Sequence, residues 1–244
     1  MNNVNKVAEI TLLFWLMKIV ATTLGETFGD FISMTLNLGY AVGIAITLFF
    51  FLITLVIQLS VKKYIPMVYW MVIVGTTTLG TEISDFIDRS LHIGYTGGSL
   101  LLVGLLLLTL VAWNKRFNNL EVYPIIKREK ELFYWIAILF SNSLGTAFGD
   151  FLSDAVGLTY LQGAIVTGFI ILVVVALHYY TKINQILLFW IAFIFTRPFG
   201  ATFGDFLTKP LTKGGLNLGT LQASLVAVAI LTMLIFISHR KYKT

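Results

Sequence analysis

The sequence predicts an all-α integral membrane protein with eight transmembrane helices. It reads as one membrane domain, residues 1–244, built from four parallel two-helix repeats in two pseudo-symmetric halves. Three observations predict this. The 244 residues are 57% hydrophobic and only 12% charged, with mean hydropathy +0.87, whereas a soluble domain carries about 25% charge. Four runs, 41–59, 97–113, 163–177 and 221–237, contain no charged residue, and a helix needs roughly 20 apolar residues to cross a bilayer. Between those runs one eight-residue phrase is written four times.

The elements follow in chain order. The first repeat, residues 9–63, carries LGETFGDF at 24–31 and then the apolar run 41–59. The second, 64–118, carries LGTEISDF at 79–86 and the run 97–113. A polar cytoplasmic linker is expected over 114–130, around Pro124. The third repeat, 129–183, carries LGTAFGDF at 144–151, and the fourth, 184–240, carries FGATFGDF at 199–206. Trp15, Trp70, Trp135 and Trp190 open the phrase-bearing segments at spacings of 55, 65 and 55 residues. That spacing suggests a two-repeat half that was itself duplicated. Short turns at Leu38-Gly39-Tyr40, Ile93-Gly94-Tyr95 and Leu158-Thr159-Tyr160 join the two segments of each repeat. In the fourth repeat the turn Leu218-Gly219-Thr220 comes five residues later. Two spans per repeat give all four repeats one orientation, about an axis along the membrane normal. The phrase-bearing odd helices are expected at the centre, and the plain even helices against lipid.

Charge placement sets the topology. Of 17 Lys and Arg, twelve (Lys243 among them) fall on the face that bears both termini, against Arg89, Lys209 and Lys213 on the other. The positive-inside rule makes the first face cytoplasmic in a plasma (inner) membrane. This placement accounts for the net charge of +5 without a nucleic-acid partner. The tryptophans are expected as an inner aromatic belt. No cleavable leader is evident, and the absence of cysteine excludes disulfides and thiolate ligands.

Read as helix, each phrase holds two rows. Gly25 and Gly29, Gly80 and Ser84, Gly145 and Gly149, and Gly200 and Gly204 form a ladder of small residues. Such ladders let membrane helices approach closely. One position over lie Thr22, Glu26 and Asp30; Thr77, Thr81 and Asp85; Asn142, Thr146 and Asp150; and Arg197, Ala201 and Asp205. A polar row beside a packing row must face the bundle interior, and a carboxylate at such depth is costly. Asp30 lies 15 residues past Trp15, or about 22 Å along a helix. The four aspartates are therefore expected as a ring in the outer third of the membrane. Glu26 and Glu82 add to it, and Arg197 is expected to pair with Glu26. With Lys18 and Arg197 set against the six deep carboxylates, the interior is expected to carry net −4.

The fourfold Gly-x-x-x-Gly-Asp-Phe pattern, with a tryptophan ten residues before its first glycine, resembles a prokaryotic family of multi-pass "membrane-anchored" proteins. That family carries four copies of a repeat of unknown function about 55 residues long. The resemblance implies a multi-pass membrane protein and no particular activity.

The residues themselves point to transport of a cation through a carboxylate-lined central cavity. The expected site is Asp30, Asp85, Asp150, Asp205, Glu26, Glu82, Thr22, Thr77, Asn142 and Thr146. Its metal ligands would be Glu26, Asp30, Asp85, Asp150 and Asp205. All-oxygen ligands suit hard ions such as Mn²⁺, Mg²⁺ or Ca²⁺, bound as substrate and possible partners of a proton flux. No resident cofactor is expected. The partners are lipid, a small cation or protons, and a homo-oligomer is compatible with the sequence. Two alternatives are a cation channel with an aspartate-ring filter, and aspartates that serve helix packing alone. An enzyme is not expected, since no HExxH or GxSxG motif occurs and no base stands beside a nucleophile.

Overall fold

The computed structural model describes residues 5–241, so Lys243 lies outside the described residues. Eight α-helices are present among them and no strand: α1 Leu12–Asp30, α2 Tyr40–Ser60, α3 Pro66–Asp85, α4 Gly94–Phe117, α5 Arg128–Asp150, α6 Tyr160–Tyr180, α7 Gln185–Thr208 and α8 Thr220–Lys241. Local chemistry starts and stops them. Thr11 caps α1 by accepting from the Phe14 amide, and Asn184 caps α7 from the Ile186 and Leu187 amides. Pro66 opens α3, where its missing N–H costs nothing. Thr159 and Gln162 close a capping box on α6. In the turn before α2, Asn37 (φ 54°) and Gly39 (φ 76°) adopt left-handed conformations, which Asn and Gly tolerate best. The helical part of α4 reaches Phe117 and α5 begins at Arg128, so the non-helical link is 118–127.

The glycines do not break the phrase-bearing helices. Instead α1, α3 and α5 each continue past their aspartate into one π-helical turn: Phe31–Thr35, Phe86–Ser90 and Phe151–Ala155. Helix α7 has no such turn. It runs as α-helix to Thr208, and residues 209–219 follow with a short 3₁₀ turn, Leu211–Lys213.

Seven of the eight helices are long and apolar enough to cross a membrane. Helix α3 falls short because Thr76, Thr77, Thr78, Thr81, Glu82 and Asp85 crowd its second half.

Helix α1 packs on α3, α3 on α5, α5 on α7, and α7 back on α1. These contacts close a ring of the four odd helices. The even helices lie outside it, and each covers the next hairpin's odd helix: α2 on α3, α4 on α5, α6 on α7 and α8 on α1. Burial follows this division. In their most apolar stretches α1, α5 and α7 are 61–67% buried, whereas the even helices are 22–28% buried. The even helices point leucines, valines and phenylalanines outward, as a lipid-facing surface requires.

The small-residue ladder sets the ring's spacing. A methyl group at Gly25 would overlap Thr77, one at Gly80 would press on Asn142, one at Gly145 would overlap Arg197, and one at Gly200 would overlap Thr22. The second rung repeats the pattern, Gly29 beside Thr81, Gly149 beside Ala201 and Gly204 beside Glu26. Each glycine row thus receives the polar row of its ring neighbour. Thr77 also donates to the Ala21 carbonyl (3.2 Å) and Thr81 to the Gly25 carbonyl (3.2 Å). These bonds stitch backbones that only small residues let come so close.

Four of the five tryptophans do not form a lipid-facing belt, and Trp15 alone is partly exposed. Trp70, Trp113, Trp135 and Trp190 are all buried. They pack with Phe14, Tyr69, Tyr134 and Phe189 into an aromatic floor across one end of the bundle. Tyr69 and Tyr134 share a hydrogen bond within it. Below this floor the chain's first described residues are tied down. Lys6 pairs with Glu131, and Gln58 donates to Glu131 Oε1 (2.8 Å) and to the Lys6 carbonyl (3.0 Å).

Candidate functional site: a polar file inside the helix ring

Counting in steps of four along the odd helices gives a central file of side chains. Nearest the aromatic floor, Lys18 is 0% exposed. Its ammonium donates to Asn142 Oδ1 (2.9 Å) and lies 4.0 Å from the centre of the Phe193 ring. Asn142 Nδ2 in turn donates to Thr76 Oγ1 (3.0 Å). Helices α1 and α5 stand on opposite sides of the ring, so the Lys18–Asn142 bond crosses its middle.

One step toward the aspartates lies Arg197, also 0% exposed. Its Nη2 donates to Glu26 Oε2 (2.9 Å) and to Thr81 Oγ1, and Nη1 reaches the Thr22 carbonyl (3.5 Å). The ion pair joins α7 to α1, and Thr81 extends it to α3. A guanidinium in a buried setting needs this many acceptors, because its desolvation is costly. Pro198 follows directly and removes one backbone donor from α7.

The aspartates form the next layer, but not as an equal ring. Arg89 links Asp150 Oδ2 (3.0 Å) and Asp85 Oδ2 (3.4 Å), and its Nη1 donates to the Tyr40 hydroxyl (2.9 Å). Lys209 donates to Asp30 Oδ2 and stands 3.2 Å from Asp205 Oδ1. The four carboxylates are therefore two pairs, each clamped by one cation. Arg89 and Lys209 were grouped above with the outer-face charges; they belong to this layer. Their signal was in the sequence. One further step of four from each aspartate reaches Met34, Arg89, Asp154 and Lys209. With both cations counted, the interior charge is net −2, not −4.

The expected ligand set is likewise divided. Glu26, Asp30 and Asp205 bring ligand oxygens within 4.8 Å of one another, and all three residues are buried. Asp85 and Asp150 lie outside that cluster, on the Arg89 side. Glu82 is separate again. A methyl group at Gly43 of α2 would overlap its carboxylate, and Gly29 of α1 is its other close neighbour. Glu82 thus points between α1 and α2, away from the central file. Neither oxygen makes a hydrogen bond of ordinary geometry; the Ser33 hydroxyl, the donor at hand, goes to the Gly29 carbonyl.

The threonines serve backbone contacts more than the file. Thr22 donates to the Lys18 and Ile19 carbonyls, and Thr77 to those of Ala21 and Val74. Thr146 is fully buried and its hydroxyl has no partner.

The family model described as Repeat of Unknown Function (DUF347) matches residues 13–64, 68–116, 133–184 and 188–244. The chain belongs to this family. The family model thus matches four times along the chain, as a four-copy repeat requires, and leaves the 118–127 link outside. Neither a comparison with curated proteins nor one with solved structures gives a match.

Proposed function

We propose that the protein spans the bilayer eight times and carries a hard cation across it. In this reading α3 crosses with the other seven helices. Its polar half faces α1 and α5 and is covered by α2, so it need not meet lipid. The four repeats then stand parallel about the membrane normal. Both termini lie on the cytoplasmic side of the plasma membrane, as the excess of Lys and Arg on that face favours.

The observation that carries the transport reading is the convergence of Glu26, Asp30 and Asp205, three buried carboxylates with ligand oxygens within 4.8 Å of one another. Oxygens on opposite sides of one Ca²⁺ are separated by about 4.6–5.2 Å, and those around Mg²⁺ by about 4 Å. Three oxygens no more than 4.8 Å apart can therefore share one hard cation of this class. A carrier fits the filled axis better than an open aspartate filter does, since Lys18 and Arg197 both reach across the ring. One observation favours a second reading, in which the aspartates serve packing alone: each is already paired with Arg89 or Lys209.

Flux of Mn²⁺, Mg²⁺ and Ca²⁺ into proteoliposomes, with and without a pH gradient, separates the two. Transport predicts flux that Asp30→Asn and Asp205→Asn each abolish in folded protein. Undiminished flux in both variants would dismiss the site.

A further inference from the structure

We infer that Lys209 is a tethered cation that occupies Asp30 and Asp205 until a divalent cation displaces it. The inference rests on the transport reading and gives that site its competitor and its preferred charge class.

The two clamps are unequal. Arg89 is a permanently charged planar fork that engages Asp85, Asp150 and the Tyr40 hydroxyl together. It comes from within a helical turn, Phe86–Ser90, so its backbone is fixed. Lys209 is a single ammonium on a flexible stem, and ammonium is the more readily hydrated group. Its backbone caps the C-terminus of α7, where the helix stops and the 209–219 segment begins. The fourth repeat alone has the extra residues there. The Lys209 side chain is 18% exposed, whereas those of Asp30 and Asp205 are 3% and 6% exposed. Lys209 is thus the least buried member of its clamp, but the Arg89 side chain, at 27%, is more exposed still, so the two cations differ in chemistry and not in exposure. The Asp205 end of the clamp is also the looser one. Asp205 Oδ1 is buried and makes no hydrogen bond, only the 3.2 Å ion-pair contact. Asp205 belongs to the cluster with Glu26 and Asp30, whereas Asp85, whose Oδ1 equally lacks a hydrogen bond, does not.

Charge then selects the displacing ion. Glu26, Asp30 and Asp205 carry −3, set against Arg197 on Glu26 and Lys209 on the aspartates. The cluster is net −1 with Lys209 seated. A divalent ion in place of the ammonium brings it to zero, and a monovalent ion leaves it at −1. Uncompensated charge inside a bilayer is costly, so the exchange favours a divalent ion. The Arg89 clamp engages two aspartates and a tyrosine at once and holds α3 to α5.

The test is Mn²⁺ binding to full-length protein in nanodiscs, read from the electron paramagnetic resonance signal of free Mn²⁺. A seated competitor lowers apparent affinity by the fraction of time it occupies the site. Lys209→Gln is therefore expected to bind Mn²⁺ roughly tenfold tighter or more. Adding Asp205→Asn to it should remove the binding. Without metal, Lys209→Gln should melt below the wild type and regain the difference with Mn²⁺, because the ion replaces the missing clamp. Equal affinity in wild type and Lys209→Gln, with binding still lost in Asp205→Asn, overturns the competitor role and leaves the transport reading intact. No binding in wild type, Lys209→Gln or Lys209→Arg overturns both. If Lys209→Gln does not fold, Lys209→Arg decides: a fixed fork must weaken Mn²⁺ binding several-fold relative to wild type, and unchanged binding refutes the displacement.

Discussion

Replacing Arg197 by methionine probes the most deeply buried charge pair in the ring. Arg197 is 0% exposed, and its Nη2 lies 2.9 Å from Glu26 Oε2. Methionine keeps the atoms that fill the space left by Gly145, since it is the arginine's Cβ and Cγ that stand against that glycine. The loss is therefore chiefly electrostatic. Glu26 is left buried without its cation, and Thr81 Oγ1 and the Thr22 carbonyl lose a donor. Breaking a buried pair from one side costs about 3–5 kcal/mol. Glu26→Gln is milder, because Arg197 keeps Thr81, Thr22 and the amide oxygen as acceptors. A cost of about 1–3 kcal/mol is expected there. In the double variant neither charge is stranded, so it should be no less stable than Arg197→Met alone. The coupling between the two changes should reach about 1–3 kcal/mol. Reversible unfolding in mixed detergent micelles measures all four proteins, with the buried tryptophans of the aromatic floor as the fluorescent probe. Strictly additive losses in folded protein would refute the pairing as the bond between α7 and α1.

Three other outcomes follow from the same packing. Gly25→Ala should lose about 1–3 kcal/mol, because its methyl group meets Thr77, including the carbonyl carbon at 2.9 Å; Gly104→Ala, with nothing within 4 Å, should stay within about 0.5 kcal/mol, and the same unfolding assay compares them. Asn142→Leu removes the side-chain acceptor that Lys18 has among the described residues and should cost about 3 kcal/mol or more, with much of the loss recovered when Lys18→Met is added. Glu82→Gln should leave the melting temperature unchanged or higher, since neither Glu82 oxygen makes a hydrogen bond of ordinary geometry and the nearby Ser33 hydroxyl already donates to the Gly29 carbonyl; a clear drop would mean that Ser33 bonds the carboxylate instead.

The helical class and the four repeats were legible because their signals are periodic and repeated. A ladder of small residues beside a polar row says which face is inward, and Arg197 to Glu26 followed from depth along two parallel helices. The partners of the aspartates were not legible from position along the chain. Arg89 and Lys209 sit where a helix was expected to have ended, and the π turn after Asp85 carries Arg89 back onto its own aspartate. Glu82 was misplaced for the opposite reason. It is three residues from Asp85, but the ring puts α2 over α3, and Gly43 opens a separate space for it. The tryptophans at each segment's start fit a lipid belt by spacing alone. Only the packing of odd on odd helices turns Trp70, Trp135 and Trp190 inward, with Trp113 wedged between Tyr134 and Trp190, and it leaves Trp15 partly exposed.

The covering of each odd helix by the preceding hairpin makes each half of the chain depend on the other. Within a half, α2 shields α3 and α6 shields α7, but α4 and α8 serve the opposite half. Cut at 118–127, the chain gives two pieces, each with one unshielded core helix and one idle shield, and each is the other's complement. The architecture is in effect a covalent dimer of two-repeat subunits, and the short 118–127 link turns a bimolecular assembly into an intramolecular one.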